Sequence, residues 1–230
     1  MKVVSRFAVA ALALGLVAGT AAAQFTNQPV YFSPAGGVGL TIAGNVGLGV
    51  NDDAKPVLGE TPLAYGGQAT LGLPSFAITA GFAIFDPGGA GSETESNFVG
   101  NVAFKLPLPP TAPVSVSLQA GVGYISPTGF SQVSIPIGVG IALNVATPGV
   151  SVEPWVAPRV HIVSTSFDIA GVDSQTDVGF GVSGGLNLTL PVGFGGHVAV
   201  DWMTIGDPSV KPLLIGGGLH YRIAIPSLGM

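Results

Sequence analysis

Between Val133 and Val145 apolar and small polar positions alternate one for one. Val133, Ile135, Ile137, Val139, Ile141, Leu143 and Val145 fall on one side, with Ser134, Pro136, Gly138, Gly140, Ala142 and Asn144 on the other. Val114, Val116, Leu118, Ala120, Val122 and Tyr124 repeat the pattern against Ser115, Ser117, Gln119, Gly121 and Gly123. A period of two sends successive side chains to opposite faces of an extended strand, whereas a helix needs apolar residues three and four apart. Followed along the chain, the pattern predicts ten strands, at about 37–50, 64–73, 75–85, 96–107, 113–124, 131–145, 150–163, 177–190, 193–203 and 211–225. An eight-stranded alternative drops a weak early pair such as 64–85.

The second face of these strands decides the environment. A soluble sandwich would show Lys, Glu, Thr and Arg to water there, but this chain shows Gly, Ala, Ser, Thr, Asn and Gln. Small polar residues around a lumen, with Val, Leu, Ile and Phe against lipid, are the pattern of a closed transmembrane β-barrel. A barrel also satisfies every backbone group in hydrocarbon, where no water can do so. The predicted class is therefore an all-β antiparallel transmembrane barrel, with a soluble exported β-sandwich as the competing fold.

Composition supports the membrane. Only 8% of the 230 residues are charged, against about 25% in ordinary soluble domains. The chain has 36 Gly, 19 Pro and no Cys, which excludes disulfides, Cys-based metal sites and a cysteine nucleophile. Seven basic residues against twelve acidic ones give no footprint for nucleic acid. The first residues read as an address: Lys2 and Arg6 precede the short apolar run from Phe7 to Val17, and Ala21, Ala22 and Ala23 offer a cleavage site. That is the form of a secretory signal peptide, too short for an ordinary spanning helix. The expected division is a signal peptide at 1–23, a periplasmic segment at 24–36, the barrel at 37–225 and a tail at 226–230. A bacterial-type export signal without Cys fits the periplasm or the outer membrane, and with the barrel pattern the expectation is export by the general secretory pathway to the outer membrane.

The connections fall into two alternating kinds. Those at 51–63, 86–95, 125–130, 164–176 and 204–210 are longer or more polar, and those near 74, 108–112, 146–149 and 191–192 are tight. Ten of the twelve acids (Asp52, Asp53, Glu60, Asp86, Glu93, Glu95, Asp168, Asp173, Asp177 and Asp207) lie in or beside the first kind. Long outer loops alternating with short periplasmic turns put both termini on the periplasmic side. Tyr65, Phe98, Tyr124 and Trp202 then fall near outer strand ends, and Phe76, Phe104, Phe194 and Tyr221 near inner ends, as two interfacial girdles.

In these features the chain resembles the small bacterial outer-membrane β-barrel proteins, over nearly all of 37–225. Within the last strand Gly218, Tyr221 and Ile223 are similar to the signal by which such proteins reach the barrel assembly machinery. That resemblance implies the machinery and outer-membrane lipid as partners. Members of this kind often end on Phe, whereas this chain continues through Pro226 to Met230.

Sharper chemistry finds little support. Gly179 to Gly184 matches a dinucleotide fingerprint, but the following Leu186 to Leu190 alternates as strand where that site needs a helix. Gly181-Val182-Ser183-Gly184-Gly185 reads as a nucleophile elbow, followed by Asp201 and His220 in hydrolase order. Those three share lumen parity, yet Asp201 lies near the outer end of its strand and His220 near the inner end of its own, too far apart for one triad. His161, His197 and His220 lack close ligand spacing, so neither metal nor cofactor is expected.

Parity points Lys105, Glu153, Arg159, His161, Asp201 and Arg222 into the lumen. Charges in so narrow a space should pair across it, Glu153 with Lys105 or Arg222 and Arg159 with Asp201. The function expected is structural or a narrow pore passing at most small ions or water. The alternatives are a surface-binding barrel using loops 51–63, 86–95 and 164–176 and, last, a barrel-borne hydrolase. On these faces Ile137→Arg should hinder insertion, while Gly138→Ser should be mild.

Overall fold

A computed structural model describes residues 37–55, 60–88, 93–109, 112–168, 171–206 and 209–225. The signal peptide, the 24–36 segment, the 226–230 tail and Asp207 lie outside the described residues. The strands are β1 (Gly39–Gly49), β2 (Leu63–Gly72), β3 (Phe76–Asp86), β4 (Glu95–Lys105), β5 (Val114–Ile125), β6 (Phe130–Leu143), β7 (Val145–Thr147), β8 (Val150–Phe167), β9 (Gln175–Thr189), β10 (Phe194–Thr204) and β11 (Leu213–Ile223). β7 continues the course of β6 beyond Asn144 and pairs with the same neighbour, so the wall has ten staves. Every stave pairs antiparallel with the next. β1 pairs with β11 from Leu40↔Ile223 to Gly49↔Leu214, and β6 pairs with β8 from Phe130↔Phe167 to Ala142↔Trp155. Those two seams close the sheet on itself, and the single closed sheet replaces the sandwich alternative.

Two prolines interrupt the ladders without shifting them. β5 and β6 lose their pairs around Pro136, and β6 and β8 lose theirs around Pro158, yet the register resumes unchanged on each far side. Proline removes an N–H from the ladder, and the surrounding pairs hold the strands in step.

The two faces are as the alternation requires. Ile42, Phe82, Phe98, Ile137, Val178, Val198 and Leu219 are each more than half exposed on the outer wall. Asn45, Thr79, Asn97, Asn101, Ser117, Gln119, Gln132 and Ser134 are buried inside it. No helix among the described residues is long and apolar enough to cross a membrane.

One expectation fails on this geometry. A Cβ at Gly138 would stand 2.4 Å from the Pro158 carbonyl oxygen and 2.6 Å from the Arg159 Cβ. Gly138 faces the lumen, but the backbone of β8 at Pro158 and Arg159 already stands where its Cβ would go, so Gly138→Ser cannot be mild. The connection at 106–113 is also longer than a tight turn, although the others on its side, 73–75, 148–149 and 190–193, are short.

Candidate functional site

The lumen is filled in tiers. At its outer end the β1–β2 connection folds inward through a single 3-10 turn, Asp52–Ala54. Asn51 Nδ2 donates to the Lys211 carbonyl at 2.7 Å and its Oδ1 accepts from Leu213 N at 2.8 Å. Asp53 Oδ2 accepts from Lys211 N at 2.9 Å. These bonds hold residues 51–54 at the mouth and bury Ala54 against Val163, Met203, Ile205 and Leu214.

Below that apolar tier sits a charged one. Arg159 from β8 and Asp201 from β10 form an ion pair of 2.5 Å with both side chains almost wholly buried. Arg159 also donates to the Ser183 hydroxyl and to His161 Nε2, and Ser183 donates to Asp201 Oδ1 at 2.9 Å. The register explains the meeting, because Arg159↔Gly181 and Ser183↔Asp201 put the guanidinium above a glycine, pointing to its partners. His161 Nδ1 and Asp201 Oδ2 have no partner among the described residues, so the cluster is not saturated. Taking Asp201 away would strand a buried guanidinium, the costliest way to break such a pair.

The next tier is Trp155, packed with Ala142, Ala157 and Ala199 over Gly185, where a Cβ would lie 2.7 Å from the indole. Trp155 Nε1 donates to Asn187 Oδ1 at 3.3 Å, and Asn187 Nδ2 donates to Glu153 Oε1 at 3.1 Å. Beside them, His197 Nε2 donates to Asn45 Oδ1 at 2.8 Å. An amide oxygen only accepts, which leaves His197 Nδ1 as an acceptor for His220 Nδ1 at 3.3 Å and the Thr189 hydroxyl as donor to His220 Nε2 at 3.0 Å. Lys105 and Arg222 stand at the inner mouth, Lys105 Nζ donating to the Leu73 carbonyl at 3.1 Å. Lys105 lies within electrostatic reach of both Arg222 and Glu153.

Outside, Tyr65, Phe98 and Tyr124 point outward near the outer ends, and Phe76, Phe104, Phe194 and Tyr221 near the inner ends. Trp202 points outward but is only partly exposed. Phe98↔Tyr124, Phe76↔Phe104 and Phe194↔Tyr221 are direct cross-strand neighbours. Phe82, opposite Phe98, and Phe180 extend the aromatic surface beyond the residues singled out from sequence. An apolar wall bearing aromatics near both ends, around a polar interior, inverts a soluble protein.

The architecture is that of a closed antiparallel β-barrel of the transmembrane kind. Gly218, Tyr221 and Ile223 lie on its last strand, with Gly218 turned inward beneath His197 and Asn45. No protein-family model matches the chain, and no curated protein does either. Solved structures similar to it include LpxR from Salmonella typhimurium, at TM-score 0.44 and 12% identity over 71% of this chain and 73% of that one. The outer membrane protease OmpT from Escherichia coli is similar at TM-score 0.40 and 10% identity over 84% and 99%. The β-domain of the Bordetella autotransporter BrkA is similar at TM-score 0.43 and 12% identity over 80% and 99%.

The sequence-predicted lumen charges divide in two. Arg159, His161 and Asp201 are brought together, and Lys105, Glu153 and Arg222 gather lower down. Ser183, weighed only as a nucleophile, turns out to be a ligand of the ion pair. Asn45, Asn187 and Thr189 were missed as partners of the histidines and Glu153. Their lumen parity was readable, but their meeting depends on register across five strands, β8 to β11 and β1.

Proposed function

We infer that this barrel is a closed, structural component of the outer membrane, passing at most water or small ions slowly. The observation that carries the reading is the Arg159–Ser183–Asp201–His161 cluster, whose members are each no more than 5% exposed in the middle of the lumen. A route for solutes would have to wet these side chains. The apolar seal of Ala54, Met203 and Leu214 above them adds a second block, since apolar constrictions exclude ions by dewetting.

The same cluster argues against a hydrolase. A serine nucleophile needs a histidine nitrogen free to take its proton. Here Arg159 donates to both Ser183 and His161 Nε2, and the serine hydroxyl is spent on Asp201. His220 is bonded instead to His197 and Thr189.

Export through the general secretory pathway and hand-over to the barrel assembly machinery fit this reading, with outer-membrane lipid as the lasting partner. Planar-bilayer recording of the purified barrel tests it. The expected trace has no steady steps above baseline at moderate voltage. A large, stable conductance would reject the closed lumen and make the protein a porin.

A further inference from the structure

The inner rim carries a recess of about 530 Å³ between the β7–β8 hairpin, the turn Leu190–Gly193 and the end of β11. The recess is built rather than incidental. Arg222 N donates to the Gly193 carbonyl at 2.8 Å, which locks the turn onto β11. Gly193 has φ +89, and a Cβ there would come within 2.2 Å of the Arg222 carbonyl oxygen, so only glycine lets the turn sit so close.

The chemistry inside the recess is cationic. Arg222 lines it, with its guanidinium tucked against Gly37, where a Cβ would be 2.9 Å from Nη1. The Arg222 Nε is buried and has no hydrogen-bond partner among the described residues. Buried donors of this kind almost always have an acceptor. Lys105 reinforces the positive field from across the mouth. Glu153, which accepts from Asn187, also lies within electrostatic reach of Lys105. Ser151 adds an exposed hydroxyl, and Leu190 and Val192 supply an exposed apolar edge.

We propose that this recess is an oxyanion site for a phosphate group, held by the planar fork of Arg222, with Ser151 elsewhere in its lining. A guanidinium suits such a group because it donates parallel hydrogen bonds to two of its oxygens. The phosphate can be free in the periplasm or belong to a phospholipid headgroup whose chains run along Leu190 and Val192. The site does not depend on whether the lumen conducts.

Titration calorimetry on the purified full-length barrel in a neutral detergent decides it, with inorganic phosphate and dihexanoyl phosphatidic acid as probes. The expected result is one-to-one binding of both probes, weakened about tenfold or more by Arg222→Gln. Ser151→Glu, which places a negative charge in the recess and leaves Arg222 intact, should weaken both equally, so the test survives if Arg222→Gln does not fold. Tighter binding of the lipid, lost in Leu190→Ser/Val192→Ser, assigns the site to a headgroup. Equal affinity for the two probes assigns it to a free oxyanion. Binding of neither probe, or binding unchanged by both Arg222→Gln and Ser151→Glu, overturns the proposal.

Discussion

Glycine at Gly138, Gly185 and Gly44 does three different jobs, although all three sit in strands of the same wall. A Cβ at Gly138 would strike the backbone of β8, and one at Gly185 would strike Trp155 and the Val198 carbonyl, but one at Gly44 would meet nothing within 4 Å. Gly138 admits the close approach of the β8 backbone, Gly185 makes room for the Trp155 ring, and Gly44 faces lipid. Gly138→Ala should therefore destabilise the barrel by about 1–3 kcal/mol, the usual range for overpacking, while Gly44→Ala should be nearly neutral. Ile137→Arg, next along from Gly138 but on the lipid face, should cost about 2–4 kcal/mol at mid-depth. Urea unfolding from lipid vesicles measures all three, and equal effects of the two glycine changes would reject the assigned contacts. Parity alone put Gly138 in the lumen. What stands opposite it was not legible, because that is set by the β6–β8 register and not by either strand's own pattern.

Strands were the most legible elements, since each apolar face had to reach lipid and a one-residue slip would have inverted it. Nine of the predicted ranges agree with their strands within two residues at each end, and β8 alone runs well past its predicted end, to Phe167. The extra length was hidden because Ser164, Thr165 and Ser166 carry no apolar alternation, yet they pair with β6 through Ser164↔Val133, Thr165↔Gln132 and Ser166↔Ser131. The inward fold of the β1–β2 connection was not legible either. It rests on Asn51 and Asp53 reaching residues far along the chain, Lys211 and Leu213, by bonds no local pattern announces. Sidedness follows from the connections as a set. Gly149 and Gly171 both have positive φ and open space around them, so a short tag is tolerated at either. Antibody labelling of intact cells should detect the tag at Gly171 and miss the one at Gly149 until the outer membrane is permeabilised. Labelling at Gly149 alone would turn the barrel upside down.

At the scale of the whole molecule, packed side chains cross the lumen at three depths, and under the proposed closed function these are blocks in series that open only together. The sequence announced the charges, but it gave no hint of the apolar seal, because Met203 and Leu214 look like ordinary strand residues until β10, β11 and the folded connection enclose them. Arg159→Ala/Asp201→Ala removes the ion pair without leaving a lone buried charge, so the barrel should still form. Even so, its bilayer recordings should stay at baseline, because Met203 and Leu214 remain above the gap and Trp155 below it. Adding Met203→Ala, Leu214→Ala and Trp155→Ala should produce steady steps. If Glu153→Ala is then included, Lys105 and Arg222 dominate the inner mouth and the current should favour anions, because charges lining a narrow pore set its selectivity. Glu153→Ala alone should conduct no more than the wild type, since it touches only the lowest of the three blocks. Steady conductance from Arg159→Ala/Asp201→Ala alone would mean that a single tier holds the lumen shut, and the tiers above and below it would then be wall packing rather than barriers.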